Sequence, residues 1–75
     1  MSKYLTVRLG KYRHYKGNEY EVMAIGKHSE TLEDVVIYRA LYGAFKIWVR
    51  PLLMWNDIIK LDDGTEVKRF EFIGE

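Results

Sequence analysis

A chain of 75 residues has room for one domain, expected to span residues 1–75, and at this length folding buries only about 60% of the surface that the unfolded chain exposes. With no cysteine present, disulfides and thiolate metal sites are excluded, and the core must come from packing a 48% hydrophobic share that includes six tyrosines, three phenylalanines and two tryptophans. Twelve basic against eleven acidic residues give a net charge of +1, which lacks the overall basic excess usual in nucleic-acid binders but leaves a local basic patch open.

The first nine residues carry no signal-peptide pattern, and no run approaches the ~20 apolar residues of a membrane span. The expectation is a cytoplasmic protein with no membrane association. Leu5, Val7 and Leu9 alternate with Thr6 and Arg8, which predicts a strand over residues 5–9. Gly10 follows at a change of apolar phase, a signal for a bend or bulge, and the chain continues extended from Tyr12 to Tyr15. Lys16-Gly17-Asn18 is a turn by composition. Residues 19–27 read as the next strand, with Tyr20, Val22 and Ala24 on one face and Met23 and Ile25 on the other. Residues 28–34 are polar, and Thr31 with Asp34 three residues on has cap spacing.

The stretch from Val35 to Trp48 fits two periods. Ile37, Leu41, Ala44, Phe45 and Trp48 suit a helical face, but Val35-Val36-Ile37-Tyr38 is β-branched and aromatic and Gly43 interrupts the pattern. Two strands are favoured, 35–41 and 46–52, joined at Tyr42-Gly43-Ala44-Phe45. Pro51 then opens a short helical turn through Trp55. Asp63-Gly64 is a hairpin signal between strands 57–61 and 66–73. The fold class expected is all-β: a small SH3-like or partly open β-barrel of five or six strands with a short helical turn.

Several separated segments share one further property. Gly10-Lys11-Tyr12-Arg13-His14-Tyr15-Lys16-Gly17-Asn18, Tyr20-Glu21-Val22, His28-Ser29-Glu30-Thr31, the stretch from Val36 to Gly43, and Trp48-Val49-Arg50-Pro51-Leu52 up to Met54 together resemble the DUF1653 family, in that order and over residues 10–73. The resemblance implies a small bacterial protein, or a domain of a longer one, with a compact β-barrel-like fold of about SH3 size. It brings no known activity. Two departures stand out: Trp55 occupies a position where the family usually has Phe, and the amino-terminal strand is longer than the family requires.

Three groups of residues could carry chemistry. In Lys11 to Lys16, basic side chains interleave with two tyrosines, which suits phosphate neutralisation and base stacking; it equally suits an edge strand with a charged wet face. His28-Ser29-Glu30-Thr31 lies where a strand gives way to a polar turn. There, Ser29 and Thr31 suit turn chemistry better than His28 and Glu30 do. Trp48 and Arg50 share a strand face, so the guanidinium can stack or bind an oxyanion, unless it pairs with an internal acid such as Glu30. Tyr38 and Tyr42 fall on a common face and could line the same concavity.

The expected ligand-binding set is His14, Lys16, His28, Glu30, Tyr38, Trp48 and Arg50. A metal site from His14, His28 and Glu30 lacks clustered spacing, and Ser29, His14 and Glu30 show no triad spacing. No catalytic residue, metal or cofactor is therefore assigned. The leading reading is a module binding an anionic ligand: a nucleotide, a single-stranded nucleic acid or an acidic peptide. The alternatives are a protein-docking or regulatory domain and, behind it, a small enzyme using His28 and Glu30. The oligomeric state is left open between monomer and homodimer.

Overall fold

Alternating apolar side chains separated by tight turns produce an antiparallel meander in the computed structural model, which describes residues 7–75. Its strands are β1 (Gly10–His14), β2 (Glu19–Lys27), β3 (Asp34–Ala40) and β4 (Ile47–Pro51). A four-residue helix, α1 (Leu52–Trp55), follows, then β5 (Ile58–Lys60), β6 (Glu66–Lys68) and β7 (Phe70–Gly74). The main sheet has the order β4-β3-β2-β1-β7, and β5 and β6 form a separate two-stranded sheet. Every pairing is antiparallel. The fold is thus mainly β and partly open: the five-stranded sheet does not close, and β4 and β7 are its edges.

The main sheet is nevertheless curled. Arg50 of β4 lies 5.8 Å from the ring centre of Phe70 in β7, although three strands separate them in the sheet. Trp55 fills the space between, because Pro51 ends β4 and α1 turns Leu52 and Trp55 inward. The buried core comprises Val7, Tyr12, Val22, Val36, Tyr38, Leu52, Trp55 and Phe70, with Tyr20 and Phe72 packed against it.

Two local features differ from the simple alternation. A bulge at Met23 separates the pairs Val22↔Tyr38 and Ala24↔Ile37. One extra residue reverses the facing of everything beyond it, so Ala24 shares a face with Ile37 and not with Val22. The expected strand 66–73 is two strands. Arg69 breaks it, so that β6 pairs with β5 while β7 crosses to β1. Its N–H donates to the Asp57 carbonyl at 2.9 Å, and its carbonyl accepts from the Tyr15 N–H at 2.9 Å. That residue ties the hairpin to the main sheet.

The Asp63-Gly64 turn forms as its composition predicts. The Gly64 N–H donates to the Leu61 carbonyl at 2.9 Å, and the Asp63 carboxylate accepts from the Thr65 N–H at 2.9 Å. The strand expected at residues 5–9 begins outside the described residues, and its described part, residues 7–9, is not strand. Asp34 opens β3 instead of closing a helix cap, and Thr31 Oγ1 accepts from the Glu33 N–H at 3.2 Å. Among the described residues no helix is long and apolar enough to cross a membrane.

Candidate functional site

Cross-strand partners point to the same side of a sheet, and the register therefore fixes one inner face. The pairs Tyr12↔Tyr20, Val22↔Tyr38, Tyr38↔Trp48 and Val36↔Arg50 run across β1 to β4, and His14↔Phe70 and Tyr12↔Phe72 extend them to β7. Four of the residues singled out from the sequence, His14, Tyr38, Trp48 and Arg50, thus share this face. Tyr20 connects two of them: its ring meets His14 at 6.4 Å and Tyr38 at 5.5 Å, and also Phe70 at 5.7 Å and Tyr42 at 5.6 Å.

Burial divides this face into an anchored interior and an exposed rim. Tyr38 is 8% exposed and belongs to the core, whereas Trp48 is 49% and Tyr42 44% exposed. The rim is the β3–β4 turn, where Phe45 takes a φ of 56° and stands 53% exposed. A left-handed backbone at a bulky residue is strained. Tyr42, Lys46 and Trp48 line a small groove of about 110 Å³ whose floor includes Ala40. The Tyr42 hydroxyl hydrogen-bonds that of Tyr20 at 2.8 Å. Burial first, and then that hydroxyl, pushes the Tyr20 phenol up to about 12.

The cationic side of the face lies where β4 approaches β7. Arg50 is half-buried, its Nε is buried with no hydrogen-bond partner, and it has no ion pair among the described residues. The expected alternative of an Arg50–Glu30 pair does not form. Arg69 also has an Nε without a hydrogen bond; Asp57 stands 3.7 Å from it. His14 packs edge-on against Phe70 at 5.0 Å. Its imidazole is held below its usual value by burial and then by the charges of Arg69, Lys16 and Arg50.

Both histidines of the chain perform the same local task. His14 Nδ1 accepts from the Lys16 N–H at 3.1 Å, and His28 Nδ1 accepts from the N–H groups of Glu30 at 3.1 Å and Thr31 at 3.3 Å. Each ring thus caps a turn in the way an Asx side chain does, which leaves Nε2 as the protonated nitrogen of the neutral ring. His28 and Glu30 are exposed in the β2–β3 turn. Nine residues of β2 separate that turn from His14, roughly 26 Å of strand. The structure therefore does not bring His28 and Glu30 together with His14. Lys16 is exposed in the β1–β2 turn, with Nζ 5.9 Å from the Tyr15 ring centre. Among the described residues no group of three His, Cys, Asp or Glu is placed to hold a metal ion.

A wide concavity of about 790 Å³ opens on the other side and includes Arg8, Glu21, Arg39 and Glu75. Two of these charges already meet, in the 3.1 Å Arg8–Glu75 ion pair. A cleft of about 240 Å³ between β1 and the β5–β6 hairpin brings Arg13, His14 and Lys68 beside Glu71. Sequence reasoning missed Tyr20, Lys46, Phe70 and Arg69 as neighbours of the site. Lys46 and Tyr20 had a local signal, a turn and a strand face. Arg69 and Phe70 had none, because only the return of β7 to β1 brings them in.

A family model described as "Protein of unknown function (DUF1653)" matches residues 10–72. The chain belongs to the DUF1653 family. The match covers both the curled sheet and the β5–β6 hairpin. A solved relative is the crystal structure of a DUF1653 protein from Bordetella bronchiseptica, 36% identical, covering 91% of this chain and 88% of that one with a TM-score of 0.82. No curated protein matches. Membership of DUF1653 accounts for the fold and the motif order and assigns no activity.

Proposed function

We propose that this DUF1653 domain is a binding module whose ligand is a nucleotide or a single-stranded nucleic acid, held on the inner face of the curled sheet. The observation that carries the reading is the exposure of Trp48 and Tyr42 beside Lys46, on the same face as Arg50 and His14. Exposed rings offer π-faces to bases, and neighbouring cations offer charge to phosphates. Core packing requires neither. An acidic peptide would use the cations but leave the rings idle, so the nucleic-acid form is preferred.

Titration of a short single-stranded oligonucleotide at low salt tests this. Binding is expected, falling with added salt as counterion release requires. Trp48→Ala removes one stacking platform, worth about 1–3 kcal/mol per base, and should weaken binding about tenfold or more. Absence of binding at low salt, with the protein folded, would overturn the reading.

A second reading has its own observation. Ile47 and Val49 are 56% and 61% exposed on the edge strand β4, and an open edge can accept a strand from another protein. This docking reading predicts that a captured protein partner is lost with Val49→Lys and retained with Lys46→Ala. The nucleic-acid reading predicts the reverse sensitivity for oligonucleotide binding.

A further inference from the structure

We propose that Arg50, Arg69 and His14 form a phosphate-binding site where the two edge strands approach each other. This deepens the reading of the inner face as a ligand surface and rests on it. Arg50 belongs to β4, and Arg69 immediately precedes β7. These strands are the sheet's free edges, and Phe70 lies buried between them, with Arg50 5.8 Å and His14 5.0 Å from its ring centre.

Two features point to an absent acceptor. The Nε atoms of both arginines are buried without a hydrogen bond. A guanidinium donor taken out of water loses its water partner and needs another. The charges nearby do not supply one. Asp57 lies 3.7 Å from the Arg69 Nε, outside hydrogen-bond distance, and no carboxylate pairs with Arg50 among the described residues. Lys16 adds a third cation to the field at His14. His14 contributes a neutral donor, since the Lys16 N–H occupies Nδ1 and leaves the proton on Nε2.

A tetrahedral phosphate suits this set. Each guanidinium presents planar, forked donors that fit two oxygens at once; Arg50 brings an unpaired charge among the described residues, and Arg69 shares its charge with Asp57. A carboxylate has only two oxygens to share among three donor groups. The phosphate could be inorganic, or the monoester of a nucleotide whose base reaches Trp48.

The test follows the arginine Nε–H signals by NMR in the wild-type protein. Inorganic phosphate, a nucleoside monophosphate and the matching nucleoside are titrated in turn, with chloride at equal ionic strength as the control. Saturable movement of the Arg50 and Arg69 signals with phosphate is expected. Tighter binding of the monophosphate would identify a nucleotide as the source, and equal binding would identify free phosphate. Arg50→Lys keeps the charge but loses the fork, and should weaken phosphate binding roughly tenfold. If the Arg50 signal stays still with phosphate, or moves equally with chloride, the proposal is wrong. Movement of Trp48 with an oligonucleotide in that case would leave the wider binding reading standing; a still Trp48 would remove both.

Discussion

The ring of Trp55 lies flat on that of Phe70, with centroids 3.9 Å apart and planes 3° apart. The pair joins the only helix among the described residues to the last strand and closes the core between the sheet edges. Tyr12 and Tyr38 meet the same indole edge-on at 5.4 and 4.9 Å. Trp55 is fully buried, and its Nε1 has no hydrogen-bond partner. Two substitutions should therefore behave very differently. Trp55→Ala removes the stack and leaves a cavity, and should cost about 3–5 kcal/mol. Trp55→Phe loses volume but also removes a buried donor whose unsatisfied state costs about 1–3 kcal/mol. Its net effect should stay within about 1 kcal/mol of wild type, measured by urea unfolding. A loss as large as that of the alanine variant would mean that the indole N–H has a partner in solution.

That position also illustrates what the sequence made legible. Resemblance to DUF1653 marked Trp55 as unusual, and Pro51 marked where β4 ends. Neither indicated that the indole stacks on Phe70, since the two stand fifteen positions apart with a hairpin between them. Local chemistry was readable wherever a turn or an alternation sufficed, as at Asp63-Gly64 and at Tyr42 to Phe45. The Met23 bulge was not, because an extra residue is defined only by what it faces in β3. The site divided along the same line. Trp48 and Arg50 were legible as strand neighbours two apart. The separation of His28 and Glu30 from His14 was not, because it depends on β2 running its full length between two turns. Nor was the similar turn capping by both histidines, in which His28 Nδ1 accepts two N–H groups.

At Gly10 the chain passes close to its own carboxy-terminal strand. Its φ is 132°, and a Cβ placed there would stand 2.8 Å from the Gly74 carbonyl oxygen and 3.1 Å from Phe72 Cε1. Backbone strain of this kind costs about 1–3 kcal/mol, and the contact with a backbone oxygen adds to it. Gly10→Ala should therefore destabilise by about 2 kcal/mol or more, and hydrogen exchange should show the loss concentrated in the β1–β7 pairing. Gly17→Ala is the control, because it shares a positive φ of 110° but meets nothing within 4 Å. It should cost less than Gly10→Ala. Equal costs would show that the close approach to β7 contributes nothing.

Tyr20 supplies a test at alkaline pH. Its phenol is pushed up to about 12 by burial and by the Tyr42 hydroxyl, so the folded state favours the neutral form. With the folded value above the unfolded one of about 10, this contribution is fully present below pH 10. It is lost as pH rises from there through about 12. Tyr20→Phe should flatten the alkaline decline of stability, and a phenolate absorbance titration should lose its highest step. If that step persists in Tyr20→Phe, the late-titrating phenol is a different tyrosine.

His14 gives the complementary test in acid. Burial, and then Arg69, Lys16 and Arg50, hold its imidazole below the usual value. Protonation would also take away the Nδ1 lone pair that accepts the Lys16 N–H. The unfolded chain therefore binds the proton more readily than the folded one. Stability from the neutral ring is complete above the unfolded value, about 6.5, and is lost as pH falls through that value towards the lower folded one. His14→Asn keeps a short acceptor for the turn and cannot titrate, so its stability should fall less between neutral and mildly acidic pH than that of the wild type. Phosphate separates the structural role of the ring from its proposed ligand role. If Arg50, Arg69 and His14 bind it, phosphate should raise the unfolding midpoint of the wild type more than that of Arg50→Lys at neutral pH. At low pH bound phosphate would draw the imidazole towards its protonated form, raising the His14 value measured by NMR. A His14 titration unmoved by phosphate would place the ring outside the anion site and leave it as a turn cap alone.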